Sequence, residues 1–210
     1  MWILRLIPWN IAVLFLAAFG VSFVELERTR SRVEELSHHQ FHDHRDVRQF
    51  IIRAALSEAD DPIVTFGDSI TEMAPLPRRI CGHPVVNAGI GGIDIWEAAK
   101  MAPPLLADSK PFLVAIALGA NDIGSSSIDK NYSDLIKIVR RISPRLLTIS
   151  DTSDEKTNKE IRNTALDAGL IYIEPEIAPS SKMADGIHYT GAAYHVWISA
   201  LEAAIAKKCE

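Results

Sequence analysis

Three patterns of apolar and polar positions divide the chain. From Leu6 to Val24 almost every position is apolar, broken only by Pro8, Asn10, Gly20 and Ser22. From Glu25 to Ala59 charged residues dominate and Gly and Pro are absent. Val33, Leu36, Val47, Phe50, Ile51 and Ala54 recur there at the three- and four-residue steps of a helical face. That spacing predicts a helical stalk whose apolar face packs on the following domain or on a second copy. Asp60-Asp61-Pro62 ends it, because the residue before proline disfavours helix. Beyond Pro62 the period changes. Short apolar runs at Ile63–Phe66, Val85–Val86, Phe112–Leu118, Leu146–Ile149 and Leu170–Ile173 read as strands buried on both faces. Amphipathic stretches at Ile95–Leu106, Tyr132–Arg141, Glu155–Ala168 and Ala192–Ala206 alternate with them. Alternation of this kind predicts a five-stranded parallel sheet covered by helices on both faces. The expected division is an anchor or signal segment at 1–24, a stalk or linker at 25–61 and an α/β domain at 62–210.

The first segment has membrane dimensions. Its 19 residues as a helix reach about 28 Å, close to a ~30 Å hydrocarbon core. Trp2 and Trp9 suit the interfacial zone. Ala18-Phe19-Gly20 would serve as a cleavage site if the segment were a signal peptide. The length favours a retained transmembrane anchor. Arg28, Arg30 and Arg32 after the span outnumber Arg5 before it, which by charge alone keeps the domain inside. N-terminal apolar segments act as export signals, however, and large domains translocate largely regardless of charge. The expectation is a domain outside the cytoplasmic membrane, periplasmic or extracellular.

Composition adds exclusions. The 210 residues are 48% hydrophobic and 23% charged, an ordinary globular mixture, and the net charge of −5 argues against nucleic acid as a partner. Cys81 and Cys209 form neither a disulfide framework nor a zinc spacing, and leave the redox compartment open. His38 and His42 in HHQFHDH are four apart and could share a metal, but are read as part of a solvated polar face.

Ligands in parallel α/β folds meet the loops at the carboxyl ends of strands. There the chain carries Gly67-Asp68-Ser69-Ile70-Thr71, Asn87-Ala88-Gly89-Ile90-Gly91-Gly92 and Gly119-Ala120-Asn121-Asp122. Asp185-Gly186-Ile187-His188 precedes the last helix. Taken singly, Ser69 reads as a helix cap, the glycines as a tight turn and His188 as an ordinary loop residue. Together they are the set that acyl transfer requires. A serine hydroxyl needs a base within hydrogen-bond reach, and His188 supplies one. Asp185, three residues earlier, can orient the imidazole. The Ser69 and Gly92 N–H groups and the Asn121 amide can receive an oxyanion.

These blocks resemble those of the SGNH hydrolases, the GDSL esterase/lipase family. GDSIT is similar to the first block, NAGIGG to the second, GAND to the third and DGIH to the last. The resemblance spans about residues 62–207. It implies a three-layer α/β/α flavodoxin-like fold with sheet order 2-1-3-4-5 and no metal or organic cofactor. It implies Ser69 as nucleophile, His188 as base, Asp185 as acidic triad member, and Ser69, Gly92 and Asn121 as oxyanion hole. The expected function is serine ester hydrolysis through an acyl-enzyme, with a small-molecule, carbohydrate or lipid ester as substrate, for example an acetylated carbohydrate. An O-acyltransferase would use the same residues; an inactive membrane-anchored binding domain is the non-enzymatic alternative. The proline-broken segment EMAPLPRRICGHP predicts an abbreviated first helix and an open cleft. Arg78 and Arg79 are read as a solvated pair, Trp96 as core, His83 as loop and His195 as structural. Asp68 is expected to hold the turn, and Asp122 to organise the loop around Asn121. Whether the stalk makes an oligomer is left open.

Overall fold

The computed structural model describes the backbone of residues 3–209 and the side chains of residues 11, 13–33 and 44–209. The chain divides into two compact units, residues 1–46 and residues 47–210. A single helix, α1 (Ile3–Ser57), supplies the first unit and opens the second. In the first unit Leu14, Phe15, Leu16 and Phe19 are each about 70% exposed and form an apolar surface. Among the described residues no helix is long and apolar enough to cross a membrane. The span expected at Leu6–Val24 lies partly outside the described side chains, as do His38 and His42.

The second unit starts fifteen residues before the expected Pro62 boundary. The reason is burial: Ile52 and Leu56, on the end of α1, are 0% and 6% exposed and belong to the domain core. The expected stalk face is not the one that packs: Val47, Phe50, Ile51 and Ala54 are exposed, and the neighbouring positions Ile52 and Leu56 face the domain core instead. The remaining elements are β1 (Ile63–Gly67), α2 (Ser69–Glu72), β2 (Arg79–Ile80), β3 (His83–Gly89) and α3 (Ile95–Leu106). They continue with β4 (Leu113–Ala117), α4 (Ile128–Ile142), β5 (Leu146–Ile149), α5 (Glu155–Asp167) and β6 (Ile171–Ile173). A short 3₁₀ turn (Pro179–Ser181) and α6 (Gly191–Ala206) complete the chain.

The sheet order is β2-β3-β1-β4-β5-β6. Five strands run parallel in the expected 2-1-3-4-5 sequence, and the expected count is short by one. The extra strand, β2, is two residues long and antiparallel to β3. So short a strand has no periodicity to read. Side chains alternate across the sheet as the pleat requires. Val64, Phe66, Val114 and Ile116 face a core shared with the end of α1 and with α3, α4 and α5. Ile63, Leu113, Ala115 and Ala117 face the other core, filled by Trp197, Leu201 and Ile205 of α6. Three layers result, with α2 reduced to one turn as expected.

Register fixes where the loops emerge. Gly67 pairs with Gly89 on one side and with Ala117 on the other. The residues following β1, β3 and β4 therefore leave the sheet side by side, and those residues carry the serine, the glycine turn and the asparagine.

One covalent link escaped the sequence. Cys81, at the β2–β3 turn, is disulfide-bonded to Cys209, just beyond α6. Two isolated cysteines 128 residues apart carry no spacing signal. Only folding brings the edge hairpin against the end of the last helix.

Candidate active site

Ser69 is not the helix cap; Asp68 is. The Asp68 carboxylate accepts from the Ile70 N–H at 2.9 Å, and Ser69 is the first residue of α2. The capping role falls to the residue before it. Ser69 is thus left with a half-buried hydroxyl on a short, tightly closed turn. The Glu72 N–H donates to the Asp68 carbonyl at 2.9 Å and the Met73 N–H to the Ser69 carbonyl at 3.1 Å. Two glycines shape the neighbouring loop, one by close approach and one by backbone conformation. A Cβ on Gly89 would lie 2.1 Å from the Glu72 nitrogen, so only glycine lets β3 end beneath α2. Gly92 has φ +75°, the left-handed conformation that favours glycine.

His188 arrives from the opposite end of the chain on a pinched loop. Residues Lys182 and Tyr189 pair as an antiparallel bridge, and the Met183 N–H donates to the His188 carbonyl at 2.8 Å. Within the loop, Asp185 Oδ1 accepts from the Ile187 and His188 N–H groups at 2.9 and 3.0 Å. That leaves Oδ2 beside His188 Nδ1, at 2.6 Å. The other ring nitrogen, Nε2, lies 2.9 Å from Ser69 Oγ. Tyr194 fixes α6 against this site by donating to the Ile70 carbonyl at 2.9 Å. Ser69, His188 and Asp185 thus form one hydrogen-bonded chain. The bond to His188, then those from the two backbone N–H groups, pull the Asp185 carboxyl down to about 2. It stays ionised at any ordinary pH, so it can hold Nδ1–H and leave Nε2 free to accept.

The third loop closes the floor. Asn121 Nδ2 donates to the Ile93 carbonyl at 2.8 Å and, weakly at 3.4 Å, to Asp68 Oδ2. Asp122 accepts from the Ile95 N–H with both oxygens, at 3.3 and 3.2 Å, and so ties this loop to the start of α3. Gly92 lies next to Ile93 in the same turn. Ser69, Gly92 and Asn121 therefore sit on three backbone segments linked by these bonds.

Beneath the site lie carboxyls with raised affinity for protons. Burial pushes Asp68 and Asp122 each up to about 6. Asp151, buried at the end of β5, is raised well above the usual carboxylate range by burial first and the Asp68 charge second. As a carboxylate, neither Asp151 oxygen finds a donor among the described residues. As an acid it can donate to Asp68, and one proton shared by the pair relieves both.

The remaining sequence expectations divide. Asp68 and Asp122 hold turns, as expected. Trp96 is a correction: it is 52% exposed, under Lys100 Nζ at 3.1 Å from its ring centre, because it lies on the outer side of α3. Arg78, Arg79 and His195 are exposed. His83 opens β3 and stacks on Phe112. Arg48, Glu72 and Asp151 were missed. For Asp151 a signal existed, since it follows an apolar strand as Asp68 does.

No protein-family model matches the chain, and no curated protein matches its sequence. Solved structures do resemble its fold. A Streptococcus pneumonia protein provisionally named a platelet activating factor superposes with TM-score 0.64 at 18% identity, over 83% of this chain and 99% of that one. A lipase/acylhydrolase from Enterococcus faecalis gives TM-score 0.57 at 20% identity, over 70% and 96%. A catalytic mutant of an acetylxylan esterase from Geobacillus stearothermophilus gives 0.54 at 13% identity, over 68% and 93%. The chain shares the fold of these proteins.

Proposed function

We propose that this protein is a serine esterase of the SGNH type. The observation that carries the reading is the chain from Ser69 Oγ through His188 to Asp185, with contacts of 2.9 and 2.6 Å. In the forward half-reaction, Ser69 Oγ attacks the ester carbonyl carbon while His188 Nε2 takes its proton. The carbonyl oxygen becomes an oxyanion, received by the Ser69 and Gly92 N–H groups and Asn121 Nδ2. The long Asn121–Asp68 contact is a weak hydrogen bond, so that hydrogen is easily given up to a developing charge. His188 then protonates the leaving alcohol. Water, deprotonated by the same nitrogen, attacks the acyl-enzyme and releases the acid.

A small acyl group on a carbohydrate, such as acetyl, is the proposed substrate class. Two observations support it. The side chains of His188 and Asp185 are 27% and 45% exposed, so bulky alcohols can approach an uncovered site. The fold is also like that of an acetylxylan esterase. The proposed location is outside the cytoplasmic membrane, tethered by the N-terminal helix. Its exposed apolar side chains support the tether, and the Cys81–Cys209 disulfide suits an oxidising compartment.

Turnover of a short-chain aryl ester tests the reading. Wild-type protein should hydrolyse p-nitrophenyl acetate, and Ser69→Ala and His188→Ala should each lower kcat by about 10⁴-fold or more. Wild-type rates in either variant would refute the assignment.

A further inference from the structure

Arg48 of α1 makes bonds that reach the site loops. It lies on the last turns of the helix, and its side chain is only 16% exposed. Nε and Nη2 donate to the Gly89 carbonyl at 3.0 and 2.8 Å, and Nη2 reaches the Asn87 carbonyl at 3.4 Å. Nε also lies 3.2 Å from Glu72 Oε1. The other Glu72 oxygen accepts from the Gly91 N–H at 2.6 Å. One guanidinium and one carboxylate therefore hold the turn at Gly89 and Gly91, immediately before Gly92. Glu72 is at the same time the last residue of the helical turn that begins with Ser69.

We propose that Arg48 is a positioning residue for the oxyanion turn. It acts through Glu72 and the Gly89 carbonyl, without touching substrate, to aim the Gly92 N–H relative to Ser69. The proposal rests on the esterase reading above. Glycine-rich backbone has little stiffness of its own, and catalysis is sensitive to displacements of an ångström. A planar guanidinium with several fixed donors can grip a carbonyl and a carboxylate together; an ammonium is a point charge on a flexible stem. Two nearby apolar residues, Ile52 and Leu56, already dock the helix by burial, so the arginine is not needed merely to attach it.

The experiment compares full-length wild type, Arg48→Lys, Arg48→Ala and the packing control Ile52→Ala. It reads kcat and KM for p-nitrophenyl acetate together with the melting temperature. The Lys variant keeps the charge that Glu72 requires, and covers the case in which the Ala variant does not fold. The expected result is Arg48→Lys melting close to wild type, with kcat lowered ~10- to 100-fold and KM within about twofold. Ile52→Ala should melt lower and keep its kcat at a temperature where it is folded. Wild-type kcat in Arg48→Lys would overturn the proposal. So would a loss of kcat in Arg48→Lys and Ile52→Ala that follows their loss of stability in parallel. If wild type itself does not turn over the ester, the esterase reading falls and this proposal with it. An active wild type beside an unaffected Arg48→Lys removes this proposal alone.

Discussion

Cys81 and Cys209 are bonded across 128 residues of sequence and join the edge hairpin to the end of the last helix. Closing so long a loop restricts the unfolded chain, which in the chain-entropy account stabilises the fold by about 2–5 kcal/mol. Urea unfolding of Cys81→Ser/Cys209→Ser, or of reduced wild type, should show a loss in that range. Neither cysteine lies among the bonded site residues, so ester turnover without denaturant should be retained.

The end of α1 is part of the domain. Ile52 and Leu56 are buried in the core over the sheet, and each contributes about 1.5–3 kcal/mol by leaving water. A chain starting at Asp60 should be less stable than one starting at His44 by roughly 3–6 kcal/mol from these two side chains. Chemical unfolding of the two fragments would measure the difference. Equal midpoints would show that the helix end adds nothing.

Asn121 offers the one side-chain donor of the proposed oxyanion hole. Asn121→Ala should lower kcat by about 10²- to 10³-fold, the usual effect of removing such a donor, with little change in KM. Because Asn121 also donates to the Ile93 carbonyl, the melting temperature should be recorded alongside. A fall in stability without a fall in kcat would leave Asn121 as a loop tie only.

Asp122 should make stability depend on pH. Its carboxyl is raised from 3.8 to about 6 by burial, so the folded state holds this proton more tightly than the unfolded state. Its contribution to stability is therefore fullest below pH 3.8 and declines as pH rises towards about 6. Asp68 acts with the same sign. Asp122→Asn removes this term. Relative to wild type, its melting temperature should be higher, or less reduced, at pH 7 than at pH 4.5. The opposite ordering would contradict the raised value.

Local signals made much of this fold legible. The expected limits of α3, Ile95–Leu106, coincide with the observed helix because Asp94 and Glu97 form a capping box at its start. The parallel sheet followed from the βα alternation, and the strand order from the resemblance alone. Ser69, His188 and Asp185 could be named because they sit in two short motifs, GDSIT and DGIH. What stayed hidden depends on contacts between distant segments. Cys81 gives no sign of Cys209, and Arg48 in a run of charged residues looks like any solvated arginine. β2 is too short to show alternation. Trp96 was expected inside because it is large and apolar, yet it faces outward on α3 beneath Lys100.

The central claim is that Ser69 is a nucleophile activated by His188. Incubating the full-length protein with a fluorophosphonate and mapping the adduct by peptide mass spectrometry tests it directly. The account predicts one phosphonylated residue, Ser69, with labelling slowed by several orders of magnitude in His188→Ala. Folded wild-type protein that stays unlabelled at Ser69, or a His188→Ala variant that labels at the wild-type rate, would contradict it.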